Sequence, residues 1–260
     1  MKVNNIQSCY LGPEISPEQF ISDHFFLYLL KGSMKAFDGH KNYVMIPGDY
    51  CIARKNHLVR YTKYKDEGEF EKIIITFDEP FLRKFWERHP VQVQSDTNND
   101  SFLFIEEGKL IKSYIQSLEP YYTGDSELDE IFADIKREEL LMIILRYKSE
   151  MADVFFNFAI PEKIDLEAFM NRNFRFNISL ERFAFLTGRS LSSFKRDFQK
   201  VFGTNPGSWL KKKRLNEAYF QISQHKHKPS EVYLEVGFED LSHFSFVFKK
   251  EFGLTPSEVI

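Results

Sequence analysis

Cysteine is scarce. The chain of 260 residues has only Cys9 and Cys51, which are far apart and match no metal-binding or redox spacing. Both are expected as small core residues of a protein in a reducing cytoplasm. Long hydrophobic runs are missing too. The longest candidate, Leu140 to Leu145, is far too short to span a bilayer, and polar Met1 to Tyr10 carries no leader pattern, so no membrane partner is expected. No glycine-rich phosphate loop, nucleophile motif or His-x-His pair occurs. His24, His40, His57 and His89 are scattered, and each is expected at the surface or capped rather than on a metal. No enzyme activity, metal or cofactor is expected.

Phenylalanine, with 28 residues, is abundant and predicts Phe-packed cores. A composition of 43% hydrophobic and 28% charged residues is globular, and the length allows two ordinary domains. The net charge of -3 hides an asymmetry. From Phe158 onward there are 16 basic and 12 acidic residues, against 19 and 26 before it. A basic C-terminal part beside an acidic N-terminal part fits a DNA-binding module joined to something else.

Residues 24–80 read as β-rich. Apolar runs at His24–Leu30, Tyr43–Ile46, Tyr50–Ala53, Leu58–Tyr64 and Lys72–Phe77 are short, with turn signals such as Pro47-Gly48-Asp49 between them. That spacing suggests an antiparallel sandwich or barrel. A short helix follows at Pro80–His89, and Val91–Ser101 is polar and loop-like. Helices are predicted at Leu103–Leu118 and Ser126–Tyr147. In the latter, Leu128, Ile131, Ile135, Glu138, Met142 and Leu145 keep 3/4 spacing, and all but Glu138 are apolar. Such a stripe either packs on its own domain or pairs with a second copy of the chain. The domains expected are 1–125, 126–157 as a helical dimerisation or linker segment, and 158–260, with Pro161 marking the last boundary.

One pattern is written twice, fifty residues apart. Phe194-x3-Phe198-x-Lys200-x-Phe202-Gly203-x2-Pro206 recurs as Phe244-x3-Phe248-x-Lys250-x-Phe252-Gly253-x2-Pro256. A fixed offset indicates two copies of one supersecondary unit. The Phe residues mark one helix face, and the Gly and Pro behind them stop the helix. In the first copy Ser179 caps a helix carrying Leu180, Phe183 and Ala184, Gly188 permits a turn, and Ser190 caps the next helix. In the second, Val232, Tyr233 and Val236 precede Gly237-Phe238, and Asp240 caps the next helix. This is helix-turn-helix logic, in which the second helix enters the major groove by its N-terminal end. Ser192, Lys195, Arg196 and Gln199 face outward in the first copy, and Leu241, Ser242, His243 and Phe246 take the early and outward turns of the second. Lys195 and Arg196 suit guanine O6 and N7; a merely solvated basic face is the alternative. Between the copies, Pro206–Ile222 reads as one linker helix, with Lys211-Lys-Lys-Arg214 for phosphate contact or solvation.

Residues from about Lys163 to Ile260 resemble the DNA-binding domain of the AraC/XylS family of arabinose-operon-type regulators. The resemblance is carried by Ser190 through Gly203-x2-Pro206, by Arg214-Leu215-x2-Ala218, by Glu235-Val-Gly-Phe238, and by Ser242-His243-Phe244 through Phe252-Gly253-x-Thr255-Pro256. It implies a cytoplasmic, nucleoid-associated transcription regulator, most often an activator, that binds promoter DNA through two helix-turn-helix units and works with RNA polymerase. By position, base reading falls on Ser192, Lys195, Arg196, Leu241, Ser242 and His243, with Ser190, Gln199 and Lys249 as backbone candidates. Two positions depart from the family. Tyr233 replaces a usually small residue, which implies a wider or tilted helix pair, and Phe246 replaces a usual Arg, which removes a donor from the second unit.

The preceding strands and helices resemble this family's regulatory domain, a cupin-like jelly roll whose helices dimerise. The segment Ile135 to Met142 is also similar to regulatory domains of type III secretion activators, which partner proteins control. The expected fold is therefore α+β: an N-terminal cupin-like antiparallel β domain with helices, then an all-α domain. A homodimer is expected, with an effector, small molecule or protein, that the sequence does not identify. Phe26, Tyr28, Tyr43 and Tyr61 would line an effector pocket or simply fill the core. The competing readings are a cupin-type small-molecule-binding protein with a vestigial helical tail and a protein-interaction module.

Overall fold

A computed structural model of the chain describes residues 2–3, 6–9, 19–94, 100–106, 108–123 and 130–259. It divides into two units, Met1–Ala159 and Ile160–Ile260.

The first unit opens with strands β1 (Lys2–Val3), β2 (Ile6–Cys9), β3 (Phe20–Ile21), β4 (His24–Lys31), β5 (Ser33–Phe37), β6 (Asn42–Met45), β7 (Tyr50–Ala53), β8 (His57–Leu58), β9 (Arg60–Tyr64) and β10 (Glu71–Phe77). Helix α1 (Glu79–Arg88), strand β11 (Phe102–Phe104) and helices α2 (Lys109–Thr123), α3 (Glu130–Tyr147) and α4 (Met151–Phe155) complete it. One antiparallel sheet runs β1-β2-β10-β4-β7-β11, a second runs β6-β5-β9, and β3 pairs with β8.

Successive strand residues point to opposite faces, and here both faces of the larger sheet are covered. Phe26, Ile52, Ile73 and Ile75 join Leu82, Phe85, Ile111 and Leu140 on the helical side. Leu27, Leu29, Cys51 and Ala53 meet Met34, Ala36 and Met45 on the other. Double burial explains why β4 reads as an unbroken apolar run instead of an alternation. The four aromatics considered as pocket residues fall into these cores: Phe26 in the first with Tyr28 against it, Tyr43 and Tyr61 in the second.

Arg137 ties α3 to the sheet. Its guanidinium donates to the Thr76 carbonyl at 2.8 Å, to Asp134 at 2.9 Å and to Asp78, and it lies 4.0 Å from the centre of the Phe81 ring. Asp78 also caps α1 by accepting from the Phe81 N–H. Glu138, the polar break in the apolar stripe, pairs with Arg88 at 2.8 Å and His89 at 3.0 Å.

Two expectations change in this unit. The helix expected from Leu103 begins only at Lys109, because Phe102–Phe104 pairs with β7 and the sheet edge satisfies its backbone. His24 is neither exposed nor fully capped. It is 3% exposed, packs edge-on against Phe155, accepts at Nδ1 from the Lys55 N–H, and leaves Nε2 without a partner. Cys51 is a buried free thiol, as expected. The Cys9 side chain and Leu128 lie outside the described residues.

The second unit is helical: α5 (Leu166–Asn173), α6 (Leu180–Leu186), α7 (Leu191–Phe202), α8 (Pro206–His225), α9 (Pro229–Glu235) and α10 (Leu241–Phe252). Helix α8 serves two small cores. Its front carries Trp209, with ring centres 5.6 Å from Phe198 and 4.6 Å from Phe202. Its rear gives Leu215, Ala218 and Ile222 to a cluster with Val232, Phe244 and Phe248.

Candidate nucleic-acid interface

The two copies of the repeated motif form the same helix pair, α6–α7 and α9–α10. In the first, Ser179 caps α6 by accepting from the Arg182 N–H, and Ala184, 1% exposed, lets the helices close. Gly188 turns the chain at φ +65; a Cβ there would lie 2.4 Å from the Glu162 carbonyl. Ser190 caps α7 through the Ser193 N–H. In the second, Asp240 caps α10 through the His243 N–H at 2.6 Å. Both α7 and α10 end on a left-handed glycine, Gly203 and Gly253. Tyr233, where a small residue was expected, lies partly buried with its ring 6.5 Å from Phe244.

With Phe194 and Phe198 buried, the opposite side of α7 exposes Ser192, Lys195, Arg196 and Gln199. Ser190 sits at its mouth, its Oγ 3.3 Å from that of Ser192. Arg196 leans on its own helix, donating to the Ser193 hydroxyl at 3.3 Å and lying 3.6 Å from Asp197. Hydrogen bonds from Arg189 and Lys163 hold the Asp197 carboxyl below the usual range, so this anion faces three cations. On α10, Phe244 and Phe248 are buried, while Leu241, Ser242, His243, Phe246, Lys249 and Lys250 are exposed.

Lys211 and Lys212 are exposed on α8, as a phosphate-contacting run requires. Arg214 is not. Its guanidinium turns inward and donates to the carbonyls of Phe174 at 2.7 Å, Phe176 at 2.7 Å and Gly237 at 3.0 Å. Burial lowers its pKa to about 10, which leaves it a cation near neutrality. The expectation of phosphate contact or solvation fails for this residue. The signal was present in the spacing: Leu210, Arg214 and Ala218 recur every four residues, which places Arg214 on the inner face of α8.

The family model for the ExsA N-terminal regulatory domain matches residues 24–154, half of the chain, and that for a helix-turn-helix domain matches residues 183–260. The chain belongs to the AraC/XylS family of transcription regulators. The regulator is 30% identical over 139 residues to the virulence regulon transcriptional activator VirF of Yersinia enterocolitica, a match covering 51% of this chain and 50% of VirF. It thus matches about half the length of that relative. It is 23% identical to the transcriptional regulator ExsA of Pseudomonas aeruginosa over 88% of this chain and 83% of ExsA. The crystal structure of an apo ToxT variant from Vibrio cholerae aligns with a TM-score of 0.47 at 14% identity, over 97% of this chain and 95% of that one. The regulator thus has an N-terminal regulatory domain and a helix-turn-helix DNA-binding domain.

Proposed function

We propose that the regulator is a promoter-binding activator that reads two adjacent stretches of major groove, with an N-terminal part that receives a signal and pairs with a second copy. One observation carries the reading: α7 and α10, built on the same plan, each open with an exposed polar turn above a buried Phe pair. Ser192, Lys195 and Arg196 would read bases in the first segment, and Leu241, Ser242 and His243 in the second. Ser190, Gln199 and Lys249 would hold phosphates. Helix α8 supports the spacing. Its 20 residues form one continuous helix that both helix pairs pack on, which fixes one relative to the other as the reading of successive major grooves, ~34 Å apart on one side of DNA, requires.

VirF is a transcriptional activator, and that direction of control is carried over to this chain; RNA polymerase is then the partner expected at the promoter. A site of action in the cytoplasm, on the nucleoid, follows from DNA binding. The domains are then 1–125 for signal reception, 126–157 for dimerisation and 158–260 for DNA. Outward-facing Ile131, Ile135 and Met142 of α3, at 75%, 55% and 50% exposure, support pairing with a second copy. A groove of about 700 Å³, lined among others by Lys41, Tyr43, Asp100 and Lys148, is the candidate surface for the signal.

The test is competition binding. A duplex enriched from a random pool by the full chain is titrated against random DNA, for wild type and Arg196→Ala. Each bidentate base contact is worth about 1–3 kcal/mol, so the specific-to-random ratio should fall roughly 5- to 150-fold. Affinity should also drop steeply as salt rises. A ratio untouched by the substitution, or a flat salt response, counts against the reading.

A further inference from the structure

The two reading helices differ most in chemistry at one outward position. Shifting by the fifty-residue repeat superposes Arg196 of α7 on Phe246 of α10. Both are open to solvent: the Arg196 side chain is 66% exposed, and Phe246, at 68%, has the highest exposure of the large apolar residues in the second unit's described part after Ile160 at its start. Phe246 is not a slipped core residue. Phe244 and Phe248, its neighbours two positions away on either side, take the buried face completely. Helical spacing puts Ser242 and His243 one turn before Phe246 and Lys249 and Lys250 one turn after it, all four exposed. The ring therefore stands at the centre of the outward face, between two polar residues and two cations.

That surrounding selects the partner. The core of a protein–protein contact is depleted of charge and of lysine. Two lysines one turn from the ring instead suit a polyanion that brings phosphates to the rim and something apolar to the middle. The DNA major groove offers one such apolar group on its base edges, the C5-methyl of thymine. A phenyl ring has no donor or acceptor for the other edges, whereas the guanidinium of Arg196 has donors for guanine O6 and N7.

We propose that Phe246 is a specificity determinant that packs on a thymine methyl in the second half of a bipartite site, while Arg196 takes guanine in the first. The inference rests on the two-groove reading of α7 and α10. The two halves of the target then differ in kind.

The full chain first enriches a duplex from a random pool. Each thymine of the enriched site is then replaced singly by deoxyuridine, which removes only the methyl. At one or two positions in one half the wild type should lose about fourfold in affinity, the worth of one buried methyl group. Phe246→Ala should bind thymine and deoxyuridine equally there, and Phe246→Arg should shift a fresh selection toward guanine at that position. Both substitutions are at an exposed site, and unchanged circular dichroism confirms the fold. Equal wild-type affinity for thymine and deoxyuridine throughout overturns the assignment. So does a preference that survives in Phe246→Ala, including the case in which that variant loses only transcription activation and the ring meets a protein. Failure to enrich any duplex overturns the DNA-reading proposal itself and is distinguishable from both.

Discussion

Replacing Arg214 with Met keeps the unbranched stem of the side chain on α8 as far as the Nε position and removes the three hydrogen bonds that join separate parts of the second unit. Phe174 and Phe176 lie just before α6, and Gly237 is the turn between α9 and α10. One guanidinium thus holds the approach to the first helix pair and the turn of the second against the helix between them. Each bond, charge-assisted but traded against water in the unfolded chain, contributes about 1 kcal/mol net. Three lost bonds amount to about 3 kcal/mol, partly offset because Met costs less to bury than a cation. The chain has two tryptophans, Trp86 in the first unit and Trp209 in the second, so Trp86→Phe leaves Trp209 as sole reporter of the α7–α8 core. Net of that offset the loss is about 2 kcal/mol, so at a urea slope of roughly 1.5 kcal/mol/M the Trp209 transition of Arg214→Met should fall by about 1.3 M. Arg214→Lys keeps the charge but not the planar fork and should recover only part of the loss. A Met variant within about 0.3 M of its parent would refute the interlock.

Two further outcomes are expected. Burial, with Lys55 and Arg54 adding positive charge nearby, holds His24 well below the usual histidine value. Its folded pKa lies below its unfolded one, so the unfolded chain gains the proton first and stability falls as pH drops below about 6.5. The loss should grow as pH falls from there toward 5, read from Trp86 in a Trp209→Phe background, and His24→Phe should flatten that slope. Ile135→Asp, at a position 55% exposed, should leave that Trp86 transition within about 0.5 kcal/mol while sedimentation shows a shift from dimer to monomer. A dimer that persists would remove α3 as the pairing surface.

What was legible in the sequence, and what was not, follows from how many constraints act on each residue. Phe194, Phe198, Phe244 and Phe248 had to be apolar, at helical spacing, ahead of a glycine stop, twice over, and all four are buried. The caps Ser179, Ser190 and Asp240 were equally readable, because an orphan N–H at each helix start calls for an oxygen there. The β unit was harder. Strand β5 (Ser33–Phe37) carries only Met34 and Ala36 inward, too weak an alternation to stand out from its surroundings. Strand β11 looked like the start of a helix because its pairing with β7 is a contact between segments distant in the chain, which local pattern does not encode. The stripe on α3 was legible as a stripe but not as a direction: Ile131, Ile135 and Met142 face solvent, while Ala133, Leu140, Leu141 and Ile144 face the core. Charged residues defeated local reading for a different reason. Lys211, Lys212 and Arg214 look alike as a basic run, yet helical phase sends the lysines to water and the arginine to three carbonyls. The same phase argument brings Phe246 out among lysines, in register with Arg196. In this duplicated fold the buried Phe pairs match between copies, so they cannot distinguish the two helices, and the outward positions where the copies differ, Arg196 and Phe246 above all, can.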